Sequence, residues 1–151
     1  MRIRIFKSRR LLLALQDERE IFRAPAALGK KPCGAKRCEG DGKTPEGVYW
    51  ICLVKEHGRY GRGLGLSYPG PEDAKWALVQ QTIDEHTCER ILSAHQEGRR
   101  PPWGTPLGGE IYLHGGGAKE DWTQGCIALE DEDMERVFEM RDLIREVEIL
   151  P

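Results

Sequence analysis

The sequence predicts a mainly β domain with a helical insertion in its middle and one further helix close to the C-terminus. Three observations predict it. Runs near both ends, Arg2-Ile3-Arg4-Ile5 and Val147-Glu148-Ile149-Leu150, alternate apolar and charged residues with the two-residue period of a half-buried strand. Clusters rich in glycine, proline and charged residues punctuate the apolar stretches between them. Helical spacing of three and four residues occurs in only two regions, 74–95 and 134–138. A chain of 151 residues fits one domain spanning 1–151, large enough to bury a core without metal or disulfide staples.

The N-terminal pattern reads as a β-meander. Ile3 and Ile5 alternate with Arg2 and Arg4, Ser8-Arg9-Arg10 breaks the run, and Leu11–Leu15 and Ile21-Phe22 follow around a polar Gln16–Arg19 turn. The basic start and the leucine run resemble a secretory signal only superficially. A signal core needs about 7–15 apolar residues, and Gln16-Asp17-Glu18 interrupts this one.

Ala27 to Gly47 is a loop of glycine, lysine and proline, ending in Gly40-Asp41-Gly42-Lys43-Thr44-Pro45-Glu46-Gly47. It is not a phosphate-binding loop. The required earlier glycine falls at Arg37, and the apolar run Val48–Val54 stands where that motif needs a helix. Next to Gly58, His57 reads as a turn residue, and the glycine-rich Arg59–Pro71, with a short strand at Leu64-Gly65-Leu66, reads as structural. From Glu72 the pattern is helical, with Ala74, Ala77 and Leu78, and after Asp84 with Cys88, Ile91, Leu92 and His95; Gly98 and Pro101-Pro102 stop it. His86 and His95 are accordingly helix-face histidines. Ile111-Tyr112-Leu113 reads as the end of a strand, Ile127 and Leu129 as another. Glu130 to Asp133 then open a helix with acids suited to its dipole, and its inner face is Met134, Val137, Phe138 and the stem of Arg141.

The formal net charge of −2 provides no broad cationic field for nucleic acid or an anionic membrane surface, so neither partner is expected. No apolar run approaches the ~20 residues that span a bilayer. The five cysteines, Cys33, Cys38, Cys52, Cys88 and Cys126, form no paired Cys-x-x-Cys set, so no metal and no other cofactor is expected. Cys33 and Cys38 are the only close pair; their loop suits a disulfide in an oxidising compartment or part of a metal site, and neither is expected without a matching second pair. Cys52 and Cys88 fall in apolar segments and read as packing residues.

Chemistry concentrates between Glu110 and Leu129. A free thiol has a pKa of about 8.5 and needs a base to become a nucleophile at neutral pH. His114 ends a strand and enters Gly115-Gly116-Gly117, and Cys126 follows Gly125. Such a pair suits acyl transfer, with His114 as base, Cys126 as nucleophile and the N–H groups of Gly125 and Cys126 beside the sulfur for an oxyanion. On residue types alone, a buried inert thiol and a histidine that merely ends a strand remain open alternatives.

Leu107-Gly108-Gly109-Glu110-Ile111-Tyr112-Leu113-His114-Gly115, with Asp121-Trp122-Thr123-Gln124-Gly125-Cys126-Ile127-Ala128-Leu129, resembles the active-site signature of the L,D-transpeptidase (YkuD-like) catalytic domains. Thr44-Pro45-Glu46-Gly47-Val48-Tyr49 independently resembles that family's turn into a central strand, and the likeness covers essentially the whole chain. The resemblance implies the family's β-sandwich or barrel. It also implies a thioester on Cys126, formed at the bond between the L-centre of a diamino acid and the following D-residue of a peptidoglycan stem peptide. The Gly115 carbonyl would then orient His114, and Tyr112, Gly116, Trp122, Thr123 and Gln124 would contact the substrate. An amine acceptor gives transpeptidation and water gives hydrolysis. The Trp-Thr-x-Gly-Cys-Ile-Ala form resembles a subgroup that includes hydrolases; a cell-wall-binding module and a thiol sensor are the non-catalytic alternatives. Common transpeptidases carry arginine where this chain has Ala128, so either another cation, such as Lys119 or Arg62, is expected to hold the substrate carboxylate, or a substrate lacking that carboxylate is favoured. The implied location is extracytoplasmic, with an upstream signal or anchor expected in the reading frame.

Overall fold

A computed structural model describes all residues, Met1 to Pro151. Nine strands form two sheets. The first contains β1 (Arg2–Phe6), β2 (Leu11–Gln16), β3 (Arg19–Pro25), β4 (Gly47–Tyr49) and β9 (Glu146–Leu150), in the order β3-β2-β1-β9-β4. The second contains β5 (Ile51–Gly58), β6 (Gly61–Leu66), β7 (Tyr112–His114) and β8 (Ile127–Ala128), in that order. Between the sheets' segments come α1 (Pro71–Val79) and α2 (Glu85–Gln96), the expected helical insertion, and α3 (Asp131–Glu139) follows Cys126.

The alternation at the N-terminus has its expected effect: Ile3 and Ile5 are completely buried while Arg2 and Arg4 turn outward to Glu146 and Glu148. The closing strand takes an unexpected place. It lies in the middle of the first sheet, parallel to β1, with Arg2 opposite Glu146 and Phe6 opposite Leu150. Side chains of both sheets and all three helices, among them Ile3, Leu12, Leu64, Ile91, Leu113, Phe138 and Val147, join one core of 27 residues. Burying each such side chain contributes about 1.5–3 kcal/mol relative to leaving it exposed.

Three readings of the sequence are corrected. The run Val48–Val54 is two strands, not one central strand: β4 is an edge of the first sheet and β5 an edge of the second. At the break, Trp50 donates its N–H to Ser67 Oγ at 3.0 Å, and its carbonyl accepts the Ser67 N–H at 2.9 Å. The buried Ser67 thus satisfies the backbone where the chain changes sheets. His57 lies on β5, beside an irregularity in its pairing with β6, rather than in a turn. Cys52 is only half-buried on β5, where burial pushes its thiol up to about 11.

The long loop from Ala26 to Glu46 has no disulfide; Cys33 and Cys38 are free and exposed. Asp41 organises it instead, accepting the N–H groups of Arg37, Cys38 and Lys43 and the Lys36 ammonium. Burial opposes its ionisation, but these donors outweigh it and hold the carboxyl below the usual carboxylate range. His95 is a structural histidine, with Nε2 2.8 Å from the Pro69 carbonyl and Nδ1 3.4 Å from Trp50 Nε1.

Candidate active site

β7 and β8 run parallel, Leu113 opposite Ile127 and His114 opposite Ala128. Because side chains alternate along strands, His114 and Cys126, two residues before Ala128, come to the same face of the sheet. Both line one open cleft of about 550 Å³, with Tyr112, Trp122, Thr123 and Gln124. Of the other expected site residues, Gly115 and Gly116 line an adjoining hollow beside α3, and Gly125 lies buried beneath the cleft floor.

The turn before Cys126 is built by Thr123. Its hydroxyl donates to the Cys126 carbonyl at 2.7 Å and accepts the Gly125 N–H at 3.1 Å. This Thr123 is itself tied to the long loop, through its N–H to the Leu28 carbonyl and its carbonyl from the Lys30 N–H. Gly125 has φ 143, and a Cβ there would stand 2.8 Å from the Lys43 carbonyl oxygen. Only glycine fits. Because the Gly125 N–H is committed to Thr123, it does not face the sulfur as the sequence reading expected. Cys126 Sγ instead accepts the Tyr112 N–H at 3.4 Å and donates to the Glu110 carbonyl at 3.4 Å. Glu110 has φ 55, a left-handed conformation that costs a non-glycine residue about 1–2 kcal/mol. Burial raises the Cys126 thiol above its ordinary range, with the Tyr112 N–H working the other way.

His114 is nearly buried. Its Nδ1 lies 2.5 Å from the Gly115 carbonyl, a contact that requires the proton on Nδ1 and leaves Nε2 as the basic nitrogen. The Tyr60 ring stacks on the imidazole at 4.7 Å, and Trp122 meets it edge-on at 5.6 Å. Burial lowers the His114 pKa, only partly offset by the Gly115 carbonyl. At neutral pH the resting pair is therefore neutral thiol and neutral imidazole.

The loop between them is held on every side. Trp122 Nε1 donates to the Gly117 carbonyl at 2.9 Å. The Asp131 carboxylate accepts the Gly116 N–H at 2.9 Å, and Glu130 accepts the Ala118 N–H at 3.0 Å. Asp121 accepts both the Arg10 guanidinium and the Leu28 N–H, tying the loop to the first sheet.

Lys119 and Arg62 do not serve the cleft. Lys119 is exposed outside it, and Arg62 pairs with Glu135 at 2.8 Å and lies over the Phe138 ring. The cations on the cleft wall are Lys30, Lys55, Arg59 and the Asp41-paired Lys36. Ala128 is wholly buried, its N–H and carbonyl bridged to Ala27. Sequence reasoning also missed Tyr60 and Trp103 as cleft residues. An aromatic set between Gly58 and Gly61 was the available signal for Tyr60.

A two-sheet domain with a histidine at the end of one strand and a cysteine just before its parallel neighbour, both lining one cleft, defines the class. The chain belongs to the YkuD family of L,D-transpeptidase catalytic domains, whose model matches residues 1–149. Members of this family act on peptidoglycan. Among solved structures, the chain is similar to the helical cell shape determining protein Pgp2 from Campylobacter jejuni, with 22% identity and a TM-score of 0.64 over 99% of this chain and 46% of that one. It is also similar to an L,D-transpeptidase from Xylanimonas cellulosilytica, with 13% identity and a TM-score of 0.57 over 98% of this chain and 59% of that one. Bd1075 from Bdellovibrio bacteriovorus matches at 21% identity and a TM-score of 0.56, over 98% of this chain and 46% of that one. The chain thus spans about half the length of these structures, which share its fold. No curated protein sequence matches it. No helix is long and apolar enough to cross a membrane.

Proposed function

We propose that the domain is a cysteine-dependent peptidoglycan L,D-transpeptidase acting on stem peptides outside the cytoplasmic membrane. One observation carries the reading: the His114 ring is fixed through Nδ1, so its basic Nε2 is free in the cleft that Cys126 shares. Nε2 takes the thiol proton as Cys126 Sγ attacks the carbonyl of the L-centre. The bond to the following D-residue breaks, the departing amine takes that proton from His114, and a thioester remains. The Cys126 N–H, which no protein group accepts, is the donor for the oxyanion. Tyr112, Trp122 and Gln124 form the substrate-facing wall; Thr123 shapes the turn from within.

The entering group decides the product. Cys126 is partly exposed in an open cleft, which favours access of water to the thioester and hence tripeptide release alongside amine transfer. The test is incubation with a tetrapeptide muropeptide at several acceptor concentrations, with products read by mass. Tripeptide together with crosslinked dimer is expected. Exclusive dimer at low acceptor removes the hydrolytic reading, and full activity in Cys126→Ala removes the mechanism.

A further inference from the structure

We propose that Asp131 is a positioning residue for His114, acting through the peptide unit between Gly115 and Gly116. The carbonyl of that unit accepts the His114 Nδ1–H, and its N–H donates to Asp131 Oδ1 at 2.9 Å. In a planar trans peptide these two groups point in opposite directions, so imidazole, peptide and carboxylate form one hydrogen-bonded chain. The fit is close. A Cβ on Gly115 would stand 2.5 Å from the same Oδ1, so the carboxylate abuts the very peptide that holds the histidine. A carboxylate accepting the N–H polarises the peptide and makes its carbonyl a better acceptor, because hydrogen bonds in series strengthen one another. Asp131 thus supports the imidazolium that forms during proton transfer, as a directly bonded carboxylate does in a serine-type triad, with one peptide interposed.

Other groups face this histidine. Tyr60 and Trp122 enclose its ring, Cys126 shares its cleft, Lys55, Arg59 and Glu110 stand on the cleft walls, and Glu130 lies beside Asp131 on the loop that opens α3. None of these is bonded to the peptide that holds Nδ1, so a substitution at Asp131 isolates this one chain of contacts. The inference rests on the transpeptidase reading for its catalytic meaning, but its geometry is testable without substrate.

The experiment is an NMR titration of the His114 imidazole in the full chain, in wild type and in Asp131→Asn, which keeps an acceptor and removes the charge. The expected result is a midpoint lower by about half a pH unit in the variant, with a Gly116 amide protected from exchange in wild type. Acylation by muropeptide should fall about 3- to 10-fold at its plateau with KM unchanged, its lower pH limb moving acidward with the midpoint. Glu135→Gln, one turn along the same helix, should leave the midpoint in place. An unchanged or raised midpoint in Asp131→Asn overturns the proposal, since merely loosening the site rehydrates the imidazole and raises it. A fast-exchanging Gly116 amide in wild type overturns it without any variant. A shifted midpoint in a chain that acylates no muropeptide upholds the positioning and overturns the substrate reading alone.

Discussion

Thr123 grips Cys126 across a single turn, its hydroxyl donating to the Cys126 carbonyl at 2.7 Å while it accepts the Gly125 N–H at 3.1 Å. Thr123→Val keeps the shape and removes both bonds, leaving the buried Gly125 N–H without an acceptor. The expected cost is about 1–3 kcal/mol of stability and a fall in acylation of about 10-fold. Thr123→Ser should retain most of both. Urea melts and muropeptide turnover on the two variants check it, and equal behaviour of valine and serine refutes the role of the hydroxyl.

Gly125→Ala should be worse than an ordinary loop substitution. The added methyl meets the Lys43 carbonyl oxygen at 2.8 Å in a backbone conformation with φ 143. A loss of about 2–4 kcal/mol is expected, with the turn displaced from under Cys126. Thermal melting measures the loss, and an unshifted melting temperature contradicts it.

The pH dependence follows from two burial effects of opposite sign. His114 has its folded pKa depressed below the ordinary histidine value of about 6.5. The unfolded chain therefore binds a proton first as pH falls, and stability contributed by the buried neutral ring is lost below that value. Cys126 has its folded pKa raised, so the unfolded thiol ionises first and stability falls as pH rises above about 8.5. His114→Gln should flatten the acid limb and cut acylation by about 100-fold or more with the fold intact. Melting temperatures across this pH range, for wild type and both single-site variants His114→Gln and Cys126→Ala, test each limb separately.

Arg10, just before β2, and Asp121 join the first sheet to the loop between His114 and Cys126. The pair is partly exposed, so Arg10→Met alone should cost about 1 kcal/mol or less. Asp121→Ala also leaves the Leu28 N–H unpaired and should cost more, about 1–3 kcal/mol, with slower acylation. Chemical denaturation ranks the two variants, and a larger effect at Arg10 argues against the backbone contact as the important one.

The sequence made much of the site legible because its chemistry is local. His114, Trp122, Thr123, Gly125 and Cys126 fall in one glycine-marked stretch, and the fold brings His114 and Cys126 to one cleft. The N-terminal meander was legible for a similar reason, since a strand with one buried face writes its period into Ile3 and Ile5. What stayed hidden depends on distant partners. The division of Val48–Val54 is set by Ser67, 17 positions from Trp50, and both halves of the run are equally apolar. Tyr60 reaches His114 only through the pairing of β6 with β7. Glu130 and Asp131 have the composition of any acidic helix start, so nothing in the chain separates a solvated carboxylate from one that holds a loop. Gly125 looked like an oxyanion donor because the motif shows a glycine before the nucleophile, while the hydroxyl that claims its N–H belongs to a residue already given another task.

The placement of β9 between β1 and β4 makes the whole first sheet depend on a pairing between segments from opposite ends of the domain. Arg4 and Glu148, paired across those strands, lie 144 positions apart, and β4 has no partner in its sheet other than β9. Without β9 the first sheet is reduced to the β3-β2-β1 meander and an isolated β4, and Arg10, which holds Asp121 from just before β2, loses the rest of its platform. Long-range pairing of this kind forms late. Order in the loop before Cys126, held through Arg10 and Asp121, is thus tied to a strand pairing made far away in the sequence.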